Sequence, residues 1–267
     1  MSGAMTTSLS DAEIRAAAEA ILSAERGVAA MPALSLRHPG LSLDDAYRVQ
    51  DELNAIRRGQ GAAFAGYKIG LTWRTTQIAC GLDGPIHGRI LAGAVHASGV
   101  RLPAGRHVAP HVEAEVAFIM GRDVDASLET PEAVLEAIAF LVPALELVDF
   151  HMTPPRRVAD TVADNSAFAG VVLSERRFAP RDVDTRWLGA TLARNGLVEE
   201  TGLSAIGMGD PAVCVAWLAD RLLERGERLR KGDLVMSGAV ARALPVAAGD
   251  TFEADFGPCG TLTVSFE

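Results

Sequence analysis

Apolar positions recur at helical spacing twice within the first sixty residues. Ser10-Asp11-Ala12-Glu13 reads as a capping box, and Ile14, Ala17, Ala18, Ile21 and Leu22 follow three or four apart up to Gly27. Ser42 opens a second such stretch, with Ala46, Val49, Leu53 and Ile56 as its stripe and Gly59 as its stop. From Gly66 the period changes. Val112–Met120 alternates as a strand does. Thr130-Pro131 predicts a helix running to about Leu141, followed by a buried strand over Val142–Asp149. Asp210-Pro211 opens a helix with Val215, Leu218 and Leu222 on one face and Gly226 at its end. Thr251–Asp255 and Thr261–Phe266 read as a hairpin. Strands and helices without regular βαβ alternation predict an α+β fold, with a small, mainly helical N-terminal region over 5–65 and a β-rich domain over 66–267.

Several acidic residues interrupt this pattern. Glu113 and Glu115 stand two apart in a strand, so both carboxylates share a face, roughly 6.6 Å apart at about 3.3 Å per residue. A solvated face is the common meaning of such a pair. Ala117 and Ile119 continue the same face as apolar residues, however, and Glu146 sits inside the apolar run Pro-Ala-Leu-Glu-Leu-Val. Buried carboxylates need a partner, and three together repel unless a cation joins them. An all-oxygen donor set suits Mg2+ or Mn2+ better than zinc. The two meanings, solvated face and metal site, both stand on the residues alone.

Lys68 is the second unusual position, in Gly66-Tyr67-Lys68-Ile69-Gly70. It reads as an anion clamp or an acid/base, or simply as a snorkelling edge lysine. His111, two residues before Glu113, is an additional candidate ligand or a structural histidine, and nothing selects His151. Nucleophile-elbow, zincin and P-loop motifs are absent, and Gly207-Met208-Gly209 lacks the preceding strand that a dinucleotide fold requires.

Composition narrows the function classes. Apolar residues make up 49% of the 267, enough for a core, and the formal net charge of −9 argues against nucleic-acid and anionic-membrane partners. Three scattered cysteines without CxxC spacing argue against a disulfide framework and fit a reducing cytoplasm. The first ten residues show no secretory leader, and a second methionine at position 5 sets Met1–Ala4 aside from the fold reading. Ala137–Leu145 is too short to span a bilayer.

With these residues in view the chain resembles the 2-keto-4-pentenoate hydratase / 2-oxo-3-hexenedioate decarboxylase family, within the fumarylacetoacetate hydrolase superfamily. The resemblance runs from about Leu36 to Phe266. It is carried by GYKIGLT (66–72), VEAEVAFIMGRD (112–123), VPALELVD (142–149), DTVADNSAFAGVVL (160–173), RNGLVEETG (194–202), DPAVCVAWLADRL (210–222) and VAAGDTFEADFG (246–257). RNGLVEETG, VAWLADRL and the Arg156-Arg157-Val158 run are most similar to the hydratases of 2-oxo-hept-4-ene-1,7-dioate.

The resemblance implies a mixed β-roll or barrel core and a homo-oligomer. It also implies Mg2+ or Mn2+ on Glu113, Glu115 and Glu146, with Lys68 beside a small 2-oxo acid substrate. The activity implied is water addition to a 2-hydroxy- or 2-oxo-dienoate of aromatic catabolism. Decarboxylation of 2-oxo-3-hexenedioate is the alternative, and a C–C hydrolase or a non-catalytic partner subunit are remoter ones. Two departures bear on this choice. Family hydratases carry Pro-Asp-[FY]-Gly where this chain has Pro85-Ile86-His87-Gly88, and the decarboxylase branch carries Ile there. His87 is therefore expected to take over acid/base work. Trp73 replaces a usual serine.

Overall fold

A computed structural model describes residues 9–267; residues 1–8, which include the start of the expected N-terminal region, lie outside the described part. The first helix covers Asp11–Gly27. Ser10 accepts from the Glu13 backbone N–H while Glu13 accepts from that of Ser10, which is the capping box read from the sequence. The second long helix, Leu43–Gly59, is capped by Ser42 accepting from Asp45 N. Most of the stability of such helices comes from packing an amphipathic face. Their apolar stripes (Ile14, Ile21, Val49, Leu53) share one core with Ile86, Met152, Val162 and Ala163 from later in the chain. The helical region therefore docks onto the β-rich part rather than standing apart from it.

The larger sheet runs in the order Ile86–Leu91, Phe64–Gly70, Leu234–Ala239, Pro110–Met120, Ile138–Asp149, Phe168–Leu173, Val95–Ala97, with Leu244–Pro245 pairing beside Pro110–Met120. Pairing is antiparallel except where Leu234–Ala239 meets Phe64–Gly70 and where Val95–Ala97 meets Phe168–Leu173. A second sheet orders Leu197–Leu203, Gly189–Arg194, Thr251–Asp255, Thr261–Phe266 and Val100–Leu102. The expected tail hairpin is there, with Asp255 opposite Thr261. The helix Pro211–Glu224 packs on the same core as the two sheets, where Phe118, Leu145, Leu218, Phe252 and Phe266 meet. The large sheet curls as a mixed roll without closing by a backbone ladder. A small apolar core on its other face joins Ile90, Ala117, Val142, Val171 and Met236.

One element departs from the sequence reading. The helix after Thr130 ends at Ala137, and the strand begins at Ile138 instead of Val142. Ile138, Phe140 and Val142 are β-formers. Here they pair along Met120–Ala117 of the neighbouring strand, so the tertiary ladder overrides the apolar run's helical reading.

Candidate active site

Pro110–Met120 sends Val112, Ala114, Val116 and Phe118 into the inter-sheet core, which by period two leaves Glu113 and Glu115 on the opposite face. Glu113 lies directly across the ladder from Glu146, and Glu115 across from Ala144. One oxygen from each of the three carboxylates falls within 4.8 Å of the others. Glu115 is 1% exposed, Glu146 0%, and Glu113 partly buried. The face is therefore not solvated.

Lys68 reaches the same place from Phe64–Gly70. Its neighbours Tyr67 and Ile69 point into the inter-sheet core, so Lys68 points the other way. Its Nζ lies 3.3 Å from Glu146 Oε1 and donates to Ser166 O at 3.0 Å. Gly70 makes room for it: a Cβ there would meet Lys68 Nζ at 3.3 Å and Ile86 Cγ1 at 3.4 Å. Ile86, the position where family hydratases hold aspartate, thus flanks the lysine head. Burial opposes the ammonium's charge, but Glu146, Glu113 and Glu115 outweigh it and hold the lysine pKa above its ordinary value. Burial pushes all three carboxyls up. Glu146 adds to this at the other two, and Glu113 reaches about 7.

A bulge in Leu234–Ala239 feeds this cluster a backbone donor. Pairing to Pro110–Met120 shifts register between Met236 and Ala239, and the Gly238 N–H donates to Glu115 Oε2 at 2.9 Å. Gly238 has φ +104, and a Cβ on it would stand 2.4 Å from Thr72 Oγ1, so only glycine fits. Glu115 Oε1 and Glu146 Oε2 remain buried with no hydrogen-bond partner, and Glu146 Oε1 has only the Lys68 ammonium at 3.3 Å. Such orphaned anionic oxygens are costly unless a cation takes them. The donor set is all-oxygen and open to a cavity, so Mg2+ or Mn2+ fits the residues present.

Ser166, which holds Lys68, belongs to a turn the sequence did not advertise. Asn165, Ser166 and Ala167 all have positive φ (49, 53 and 59), a left-handed run that non-glycine residues avoid. The Asn165 side chain accepts from Arg89 N at 2.9 Å and donates to Arg89 O at 2.9 Å. Ser166 Oγ donates to His87 O at 2.7 Å. The turn thereby satisfies the free edge of Ile86–Leu91.

Glu113 and Glu115 line a cavity of about 220 Å3 whose walls include Ile69, Thr72, Trp73 and Arg242. That is below the range of about 300–1,000 Å3 typical of drug-sized ligands and suits a short open-chain acid. Trp73 is fixed there by donating Nε1–H to Ala239 O at 2.7 Å.

The histidines lie elsewhere. His87 pairs with Ile69, and alternation puts its ring on the face away from Lys68, stacked on Tyr47 (4.7 Å between centroids) and near Trp217. Burial, then Arg225 and Arg89, depress its pKa to about 3. The structure does not bring it to the cluster. His111 is occupied with Ala109 O at 3.0 Å and the edge of Phe150, outside the three-glutamate group. His151 is buried between two carboxylates, its Nδ1 2.8 Å from Asp164 Oδ1 and its Nε2 3.6 Å from Asp149 Oδ2. Sequence reasoning passed over Thr72, Asn165, Ser166 and Arg242. No periodicity marks them, because long-range packing alone brings them to the site.

The matching segments, the three-glutamate face and the roll agree with one family profile, described as fumarylacetoacetate hydrolase C-terminal, which matches residues 88–267. The chain belongs to the fumarylacetoacetate hydrolase family. Among curated relatives in this family, a 2-oxo-hept-4-ene-1,7-dioate hydratase from Escherichia coli is 35% identical over 256 residues, covering 93% of this chain and 96% of the relative. A 2-keto-4-pentenoate hydratase from Paraburkholderia xenovorans (strain LB400) is 35% identical, covering 86% of each chain. A solved structure of 4-oxalocrotonate decarboxylase from Pseudomonas putida G7, complexed with magnesium and adipate, superposes with a TM-score of 0.95. It shares 28% identity and covers 98% of this chain and all of that one. No helix among the described residues is long and apolar enough to cross a membrane.

Proposed function

We propose that this chain is a metal-dependent hydratase that adds water to a 2-hydroxy- or 2-oxo-dienoate and releases a 4-hydroxy-2-oxo acid. The observation that carries the reading is the buried cluster of Glu113, Glu115 and Glu146 with Lys68 at its edge, opening into a cavity sized for a short acid. Near-full-length identity to hydratases supports it. Glu113, Glu115 and Glu146 would hold Mg2+ or Mn2+, which supplies Lewis acidity toward the carboxylate and ketone oxygens of a 2-oxo acid.

The remaining work belongs to the chain. Lys68 Nζ, steadied by Ser166 O and Glu146, is a fixed positive donor for an anionic substrate. Leu71, Trp73 and Ala239 add apolar walls to the cavity and limit bulk water, which strengthens that electrostatic hold. His87, turned toward Tyr47, is assigned a packing role.

A second reading has one observation in its favour. Ile86 places hydrocarbon beside Lys68, as in the decarboxylase branch, and the decarboxylase structure shares the fold closely. The deciding experiment incubates purified protein and Mg2+ with 2-hydroxy-2,4-dienoate mono- and diacids. A 4-hydroxy-2-oxo product supports the hydratase. Stoichiometric CO2 without hydrated product refutes it.

We further propose that the protein is cytoplasmic and assembles from copies of itself. Cys80 is exposed and unpaired, and the edge strand Leu197–Leu203 shows Leu197 and Val198 to solvent. Light scattering in solution that finds only monomer rejects the assembly.

A further inference from the structure

Among the described residues lining the cavity that holds Glu113 and Glu115, Arg242 is the one cation. It follows the bulged strand, on a segment pinned where Val240 N donates to Ala114 O at 2.9 Å. Its guanidinium is held on one side by Glu200, with Nε donating to Oε2 at 3.1 Å and Nη2 lying 2.9 Å from Oε1. Glu200 is only 15% exposed in its side chain, whereas Arg242 is 75% exposed. The pair is therefore anchored from the protein side. A guanidinium carries five N–H donors, and this fork engages two of them. Those left over are free to meet a second carboxylate.

We propose that Arg242 is the specificity-determining residue for a dicarboxylic substrate. One end of the substrate would sit at the glutamate cluster and Lys68, and Arg242 would bind the distal carboxylate, with Glu200 as its positioning residue. This deepens the hydratase reading and rests on it. The chemistry requires such a group. A second negative charge brought toward a chain of net charge −9 and past two glutamates is disfavoured unless a cation receives it. Planar bidentate recognition of carboxylate is what arginine supplies and lysine does not.

The test measures kcat/KM for a 2-hydroxy-2,4-dienoate diacid and its monoacid counterpart, together with calorimetric Kd values for adipate and hexanoate on the Mg2+-loaded protein. Wild type is expected to prefer the diacid in both. Arg242→Gln should cut the diacid-to-monoacid ratio by about tenfold to a hundredfold, the scale of one hydrogen bond to a charged group. Arg242→Lys should restore part of that ratio, and Glu200→Gln should lower it by a smaller factor. A ratio unchanged in Arg242→Gln, in turnover and in adipate-versus-hexanoate binding alike, overturns the assignment and leaves Arg242 as a surface ion pair. If wild type hydrates neither substrate, the hydratase reading fails, and the adipate-versus-hexanoate comparison still decides whether Arg242 selects diacids.

Discussion

Lys68 Nζ and Glu146 Oε1 lie 3.3 Å apart with both side chains buried, so their attraction escapes most of the screening that weakens surface pairs. Lys68→Met keeps an unbranched side chain one atom shorter and removes the charge. It is expected to lower kcat/KM by about 10²-fold or more, the usual scale of acid–base loss, with the circular-dichroism spectrum and Mg2+ affinity retained. A change of less than about threefold, roughly 0.7 kcal/mol, would show the residue to be a bystander.

The unpartnered oxygens Glu115 Oε1 and Glu146 Oε2 give the metal prediction its edge. Chelator should abolish activity, and Mg2+ should restore it. Glu146→Gln, nearly isosteric, should weaken Mg2+ binding about tenfold or more when titrated by calorimetry, because it removes an anionic ligand from a set of three. Unchanged affinity would remove Glu146 from the site.

Ile86 offers a way to ask what selects the reaction. Ile86→Asp puts a carboxylate next to Lys68, where family hydratases carry one. The fraction of hydrated product relative to CO2 should rise. Ile86 is 3% exposed and packs with the N-terminal helices, so a loss of stability of about 2 kcal/mol or more is expected alongside. Product analysis and thermal unfolding on the same sample separate the two effects. A product ratio identical to wild type would mean that position 86 does not choose between the reactions.

His151 carries a pH dependence with a defined sign. Burial opposes its charge, but the Asp164 hydrogen bond and the charges of Asp164, Asp149 and Glu25 outweigh it and raise its pKa above the ordinary 6.5. On Asp164 itself burial pushes the carboxyl up, while His151 and, from the helix Leu43–Gly59, Arg57 pull it down. A raised histidine pKa means that the stabilisation is fully present below 6.5 and is lost as pH climbs through the folded value. The gap in Tm between wild type and His151→Gln should therefore be wide at pH 6 and narrow toward pH 9. A gap that widens with pH would contradict this.

Much of the fold was legible because local signals and tertiary demands agreed. The capping box at Ser10 and the Asp210-Pro211 start each mark a helix that forms where read. Glu113 and Glu115 stood out because period two and burial conflict with charge. Alternation also held information on His87 that its pairing partner supplies: opposite Ile69, it must face away from Lys68. That partner is not visible from the residue's own neighbourhood. The turn at 165–167 was illegible for a related reason. Nothing in Asn-Ser-Ala asks for left-handed backbone, and the strand edge it serves lies seventy-odd positions earlier in the chain. The overlong helix after Thr130 failed because an apolar run of that length fits either state until the adjoining strand claims it.

The amide hydrogen of Arg89 is bonded to an Asn165 side chain and not to another strand. The seam of the roll is thus fastened by a rotatable group. A single turn about the Asn165 side chain would free this hydrogen for exchange with solvent while every backbone ladder stays intact. In deuterated water, Arg89 should therefore exchange ahead of Ala117 and Phe118, whose strand is paired on both flanks, and the rate should jump in Asn165→Ala. Ser166 of the same turn holds Lys68 through its backbone carbonyl, so this opening would leave the lysine's support in place.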